Sequence, residues 1–234
     1  MADLARRSAH TVPETLGLLR GLVDRGSVLV LGDGLASSAL LISAGGWSRL
    51  AGNVEADLGS YHRDHHLRRG IPKEELRKRL GLDPRLFTAV ERQLLSRGAI
   101  AEDGPFVRLP SFGVILTTTE EQQAAALTRE LEAGGASPAG LAELQSRTQA
   151  SDELVQALID QGVLVEVAED VIYPRATYDQ LVTGVRRMIE GTGSVTVGQV
   201  RDAYGTSRKY ALALLEHLDQ RRVTKRVGDE RVLA

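Results

Sequence analysis

Leu158-Ile159-Asp160-Gln161-Gly162-Val163-Leu164-Val165 reads as the end of a leucine-rich helix, a polar turn closed by glycine, and the start of a β-branched run. Glycine relieves the left-handed position that ends such a helix, and the run behind it favours a strand. The phrase stands three more times, as Leu22-Val23-Asp24-Arg25-Gly26-Ser27-Val28-Leu29-Val30, as Leu94-Leu95-Ser96-Arg97-Gly98-Ala99-Ile100, and as Leu218-Asp219-Gln220-Arg221-Arg222-Val223-Thr224-Lys225. In the last copy Arg222 takes the place of the glycine. Counted from Gly26 to Gly98 to Gly162 to Arg222, the copies lie 72, 64 and 60 residues apart. Self-similarity at so even a spacing is the mark of a repeated unit. It predicts four domains of similar size, 1–53, 54–110, 111–174 and 175–234.

The flanks of each copy are regular too. Amphipathic segments over 72–80 and 85–95 are joined by Gly81-Leu82-Asp83-Pro84, where Asp83 is a natural N-cap and Pro84 a natural first helical residue. Segment 139–146 leads through Thr148-Gln149-Ala150 to a cap at Ser151, and segment 197–203 leads through Tyr204-Gly205-Thr206 to a cap at Ser207. Two helices joined by a few turn residues make a helix-turn-helix. Behind the phrase comes a hairpin: residues 223–227 and 231–233 flank Gly228-Asp229, and residues 163–167 and 171–173 flank Ala168-Glu169-Asp170. An extra helix opens the later units, over 54–65, 120–132 and 178–189. Helix, helix-turn-helix and hairpin together spell a winged helix. The expected fold class is therefore mainly α with small β-hairpin wings (α+β), four winged helices in tandem. The first is expected to lack its opening helix, its helix-turn-helix starting near Asp3, which suggests either a cut from a longer protein or an unusual start.

Composition narrows the function. Lys+Arg 29 against Asp+Glu 31 leaves a net charge of -2, so any nucleic-acid contact must be local. Cys 0 excludes disulfides, thiolate metal sites and a cysteine nucleophile, and fits a reducing compartment. No apolar run approaches the ~20 residues of a membrane helix, and no signal peptide follows Met1. The charge is unevenly shared: residues 111–174 carry 2 basic and 11 acidic side chains, whereas 175–234 carry 11 and 7. An acidic surface repels phosphate and a basic one attracts it, which singles out the fourth unit. In its last helix Tyr210, Ala211, Leu214, Leu215 and Leu218 form one apolar face, with Arg208 and Lys209 on the first turn beside Ser207. Free amides and the positive dipole end there suit a phosphate. The wing adds Lys225 and Arg226, preceded by Arg221 and Arg222, and alternation sets Thr224 and Arg226 on the side away from Val223 and Val227, toward solvent or a ligand. The competing reading of these cations is an ordinary solvated face.

Other candidates weigh less. His62, Asp64, His65 and His66 point in different directions from one helix and lack metal-ligand spacing. Gly32-Asp33-Gly34 follows a strand as a wing turn would and lacks the rest of a phosphate-loop fingerprint. Lys73-Glu74-Glu75-Leu76-Arg77 reads as exposed helical ion pairs, and Ser194-Val195-Thr196 as a lead into a helix. No Ser/His/Asp set can be assembled, and an enzyme is not expected.

The run from Tyr204-Gly205-Thr206-Ser207-Arg208-Lys209-Tyr210-Ala211-Leu212 to Thr224-Lys225-Arg226-Val227-Gly228-Asp229-Glu230-Arg231-Val232 closely resembles the C-terminal end of bacterial selenocysteine-specific translation elongation factors (SelB). Tyr61-His62 with Leu67-Arg68-Arg69-Gly70-Ile71-Pro72-Lys73 resembles the opening of that family's second winged helix. Where this chain has Ala213 the family commonly has proline, and where it has Arg222 a glycine-like turn residue. The resemblance implies an elongated arm of winged helices whose last domain binds the mRNA stem-loop (SECIS element) that recodes UGA for selenocysteine. It implies RNA binding by Ser207, Arg208, Lys209, Tyr210, Lys225, Arg226 and Arg231, with Arg222 adding a phosphate contact. It also implies a monomeric cytoplasmic protein that meets the ribosome and selenocysteinyl-tRNA through its full length. GTP and magnesium would belong to a GTPase part, and no GxxxxGK stands in this chain. The fold by itself leaves open a DNA-binding regulator or chromosome-associated adaptor, and a protein-interaction spacer. RNA is favoured on physical grounds, since a small basic domain can grip backbone around a loop and read its unpaired bases.

Overall fold

The structure, a computed structural model, describes residues 7, 10–32, 34, 35 and 39–234. The chain forms two compact units, 1–114 and 115–234. In the first, α1 (Val12–Asp24) leads to the hairpin β1 (Val28–Leu31) and β2 (Leu40–Ser43), and α2 (Ala44–Asp64) follows at once. Then come β3 (Ile71–Pro72), α3 (Lys73–Arg79), α4 (Pro84–Ser96), β4 (Ala101–Asp103) and β5 (Phe106–Arg108), with sheet order β3-β5-β4. The second unit runs α5 (Thr118–Gly134), α6 (Leu141–Thr148), α7 (Asp152–Asp160), β6 (Leu164–Ala168) and β7 (Val171–Pro174). It continues with α8 (Arg175–Thr192), β8 (Val195–Thr196), α9 (Val197–Tyr204), α10 (Arg208–Gln220), β9 (Thr224–Val227) and β10 (Glu230–Leu233), ordered β8-β10-β9. All strand pairs are antiparallel.

The repeated phrase is one backbone motif built four times. The residue at its turn has a positive φ in every copy: Gly26 69°, Gly98 65°, Gly162 73° and Arg222 56°. The amide of that residue reaches back to Val23, Leu95, Ile159 or Asp219 at 2.8–3.1 Å, and the next amide reaches Leu22, Leu94, Leu158 or Leu218 at 2.9 Å. These two bonds are the Schellman ending of a helix, which satisfies the last carbonyls and throws the chain into the wing. The helix starts expected from sequence are also present. Asp83 accepts from the Leu86 amide at 3.0 Å, and Ser151 from the Leu154 amide at 3.1 Å.

Three expectations are corrected. The opening helix placed over 54–65 begins at Ala44, so the expected boundary at 53/54 falls inside α2. Gly45, Gly46 and Gly52 hid it, since glycine lowers helix propensity. Burial of Trp47 and the Ser43 side chain, accepting from the Gly46 amide at 3.1 Å, override that penalty. Val195-Thr196 is a short strand paired with β10, not merely a lead into a helix, and Ile71-Pro72 pairs with β5 in the same way. Asp3 and Asp33 lie outside the described residues, and with them the expected start of the first helix-turn-helix and the tip of the first wing.

Two of the wings run without a break into the next opening helix, at Ser43/Ala44 and at Pro174/Arg175, whereas residues 109–117 separate β5 from α5. The cores fuse accordingly. Leu31 packs in one cluster with Trp47, Leu58 and Tyr61 of α2 and with Phe87, Val90 and Leu94 of α4. In the second unit Val165, Val167, Val171 and Tyr173 of the β6/β7 wing share a cluster with Leu181, Val185 and Ile189 of α8 and Leu214, Leu215 and Leu218 of α10. α8 and α9 touch so closely that a Cβ on Gly184 would run into the Tyr204 hydroxyl, which donates to the Leu181 carbonyl at 3.2 Å.

His62, the strongest of the weak metal candidates, has a structural task. Its ring stacks on Phe112 with centroids 3.7 Å apart, and Nε2 accepts the Leu109 amide at 3.1 Å. Burial, and then the Arg108 charge, push its pKa below the ordinary value. Protonation would cancel the acceptor that Leu109 needs. A lowered folded-state pKa means that the unfolded chain takes the proton first, so stability is whole above about pH 6.5 and is lost as pH falls below it. Buried His217, also lowered, acts in the same direction. Urea unfolding of the full chain at pH 7.5 and pH 5.5 should show the lower midpoint in acid, with a smaller pH dependence in His62→Gln; equal midpoints would refute this role.

Candidate nucleic-acid interface

α10 opens at Ser207, whose backbone has the extended cap conformation while its side chain makes no cap bond. That distinguishes it from Asp83 and Ser151. The first-turn amides of α10 thus keep no side-chain acceptor, and Ser207, Arg208 and Lys209 are all exposed there. Among the described residues, the Arg208, Arg222 and Lys225 side chains have no hydrogen-bond or ion-pair partner. Lys209 only lies over the Tyr210 ring, at 5.9 Å.

Tyr210 is a tether. Its hydroxyl donates to the Pro138 carbonyl at 2.6 Å, and Thr206 Oγ1 donates to the Ala136 carbonyl at 2.8 Å. Tyr173 donates to that same Ala136 carbonyl at 3.2 Å. The loop between α5 and α6 is therefore fastened to the helix-turn-helix that carries Arg208 and Lys209. The apolar spacing of Tyr210 already placed it with the core set.

The wing departs most from expectation. Thr224, read as facing outward, is 2% exposed, and Arg231, read as a phosphate ligand, is also 2% exposed. Both turn to Asp219 near the end of α10: Thr224 Oγ1 donates to Oδ1 at 2.6 Å and Arg231 Nε to Oδ2 at 3.2 Å. An arginine can leave the surface only when its charge is matched and its N–H groups are used, and Asp219 does this while bolting both wing strands to the helix. Sequence alternation correctly kept Thr224 and Arg226 on one face but assigned that face to solvent. It is the helix-facing side, beyond whose edge Arg226 emerges exposed, its Nε donating to the Gly228 carbonyl at 2.9 Å.

Register sharpens this. Arg226 pairs with Arg231 and Lys225 with Val232, and cross-strand partners share a face while neighbours alternate. Lys225 and Arg226 therefore project from opposite faces of the wing and cannot serve one phosphate together. Arg208 and Arg222 stand at the two ends of α10, about 20 Å apart at 1.5 Å per residue. The cations mark out a track rather than a point.

Asp219 was missed from sequence. Its signal was present: where Asp219 stands, the other copies of the phrase have Val23, Leu95 and Ile159. A carboxylate at a position otherwise apolar asks for a buried partner. Arg222 is the other special case, a non-glycine residue held at φ 56°.

A helix-turn-helix with an open helix start, followed by a wing with unpaired cations among the described residues, defines the chain as a tandem winged-helix protein. Residues 56–109 and 187–233 match two families, each described as elongation factor SelB, winged helix. The matches concern winged helices and not the GTPase part. The selenocysteine-specific elongation factor of Desulfomicrobium baculatum is 29% identical over 188 residues, covering 78% of this chain and 30% of that protein. The crystal structure of bacterial selenocysteine-specific elongation factor EF-Sec aligns at TM-score 0.52 and 17% identity, over 86% of this chain and 32% of that one, and shares the fold. The mRNA-binding domain of elongation factor SelB from E. coli, solved in complex with SECIS RNA, aligns at TM-score 0.41 and 24% identity, over 48% of this chain and 97% of that one. The chain spans about 30% of the length of the curated relatives it matches.

Two substitutions test the geometry. Arg222→Gly removes the left-handed strain and should stabilise the chain by about 1 kcal/mol in urea titrations. Removing a partner of a buried pair costs roughly 3–5 kcal/mol, so Asp219→Ala should lower the unfolding midpoint far more than Arg231→Met, which keeps the volume and removes the charge. Equal loss in both would show that the pair is not buried.

Proposed function

We propose that residues 187–233 hold an mRNA stem-loop, the SECIS element that recodes UGA, so that this chain acts in selenocysteine incorporation. The observation that carries the reading is a SelB winged-helix domain whose Arg208, Arg222 and Lys225 side chains are exposed and without protein partners. Charges left free at a helix start and on a wing suit backbone phosphates, which set register, while loop bases supply selectivity. Ser207 adds a hydroxyl beside the open amides of α10. Arg226 adds its charge on the helix-facing side of the wing and Lys225 on the other, so the wing fits between phosphates of two strands or of a bent loop. Arg231 and Tyr210 act indirectly, by holding the wing and the helix. The acidic stretch before α8 discourages RNA from settling elsewhere in the second unit.

The finer parts of the reading follow from the kinship. We take the chain as four tandem winged helices of a monomeric, cytoplasmic translation factor, in line with the absence of any membrane-crossing helix among the described residues. Contact with the ribosome and with selenocysteinyl-tRNA, and the use of GTP and magnesium, are assigned to the longer proteins of this kind and to their GTPase part.

Binding is tested by fluorescence anisotropy with a selenoprotein-message hairpin, the same sequence unpaired, and duplex DNA. The hairpin should bind most tightly. With four to six phosphates neutralised, the log-log salt slope should be roughly -3 to -5. Arg208→Ala and Arg226→Ala should each weaken hairpin binding by about 1–3 kcal/mol, and Arg222→Gly should weaken it while stabilising the fold. Arg231→Met should leave the salt slope unchanged. A slope near zero, or preference for duplex DNA, would overturn the proposal.

A further inference from the structure

Besides the interface itself, the second unit contains a cleft of about 530 Å³ between the β6/β7 wing and the elements α8 and α10. Its wall is formed by Leu164, Val165 and Glu166 of β6, Arg175 and Tyr178 of the first turn of α8, and Arg221 at the end of α10. The volume lies in the range of small-ligand sites, roughly 300–1,000 Å³. The RNA-binding track described above does not use it.

Its chemistry is distinctive. Two guanidinium groups and a phenol line this one space, Arg175, Arg221 and Tyr178. Arg175 Nε donates to Asp179 Oδ2 at 2.9 Å. Arg221 has no ion-pair partner among the described residues. Tyr178 is half-buried, its ring edge-on to buried His217 at 5.5 Å. Glu166, also in the wall, is exposed. A bare oxyanion would be attracted by the arginines and repelled by Glu166. A ligand with an anion at one end and hydroxyl or amine donors at the other would satisfy both sides. A ribonucleotide has that pattern: phosphate for Arg221 and Arg175, a planar base for Tyr178, and 2′-OH or exocyclic N–H groups for Glu166.

Position points the same way. Arg221 is the immediate neighbour of Arg222, the last cation of the α10 track, so a strand passing Arg222 comes directly to the mouth of the cleft. We propose that this cleft is a ribonucleotide subsite, taking one unpaired nucleotide of the RNA strand that flanks the stem held by α10 and its wing. The assignment of the strand rests on the RNA reading of residues 187–233; the chemistry of the cleft stands apart from it.

The test uses the ¹⁵N-labelled full chain without hairpin, titrated with a uridine trinucleotide, a thymidine deoxy-trinucleotide and inorganic phosphate. The ribo-trinucleotide should shift the amides of Gly162, Val165, Glu166 and Tyr178, and should bind about tenfold more tightly than the other two probes. Arg221→Gln and the conservative Tyr178→Phe should weaken it, by about tenfold for the arginine. No shift at these amides, equal binding by Arg221→Gln, or equal binding of all three probes would overturn the proposal. A hairpin with a single-stranded flank should bind more tightly than the bare hairpin in wild type, and this gain should vanish in Arg221→Gln. Loss of all hairpin binding with the trinucleotide result intact would sink the RNA reading of α10 and spare the cleft; the reverse result would sink the cleft alone.

Discussion

A helix that must turn into a strand within two residues leaves its last carbonyls without partners, and the whole chain is organised around one answer to that demand. At Gly26, Gly98, Gly162 and Arg222 the backbone enters the left-handed region and two amides return to the final turn. The direction of every wing is set by this turn. So is the register that sends one wing strand back beside the other, and hence the place where the next helix can begin. Three copies use glycine, for which the conformation is free of steric penalty. The fourth uses arginine, accepting strain at the point where a positive charge can face a polyanion.

The second constraint is burial. A two-stranded wing alone has too little core to be stable. Here β2 and β7 run straight into α2 and α8, so each wing lies on the same cluster as the following helix. In the β9/β10 wing Asp219 takes over this task. Its two oxygens hold Thr224 and Arg231, one from each strand, against α10. The last wing is thus fastened by charge and hydrogen bonds where the earlier ones are fastened by hydrophobic contact. This leaves its outer face and tip free of packing duties, with Lys225, Arg226 and the 55%-exposed Val227 all available to a ligand.

Electrostatics then sorts the surfaces. Residues 111–174 carry 11 acidic and 2 basic side chains, and residues 175–234 carry 7 and 11. Within the second unit, Tyr210, Thr206 and Tyr173 tie the α5–α6 loop to the helix-turn-helix, so the repulsive and attractive surfaces stand in a fixed relation. A phosphate backbone approaching this unit is guided toward α10 and the wing. The cleft around Arg221 and Tyr178 lies where these elements meet.

Much of this was written in the order of residues. The spacing of the phrase, the caps at Asp83 and Ser151, the turn at Gly228-Asp229 and the cations at Arg208, Lys209, Arg222, Lys225 and Arg226 are local facts, because helix ends, turns and exposed charge depend on near neighbours. What the chain order did not reveal depends on groups that meet only after folding. Gly45 and Gly46 read as loop until the burial of Trp47 is counted, and Val195-Thr196 becomes a strand because β10 lies beside it. Arg231 and Thr224 read as surface residues until Asp219 is found beneath them. Periodicity tells which residues share a face, but which face meets the core is decided by what packs there, and the Asp219 carboxylate turned one expected RNA ligand, Arg231, together with Thr224, into the bolts that hold the wing.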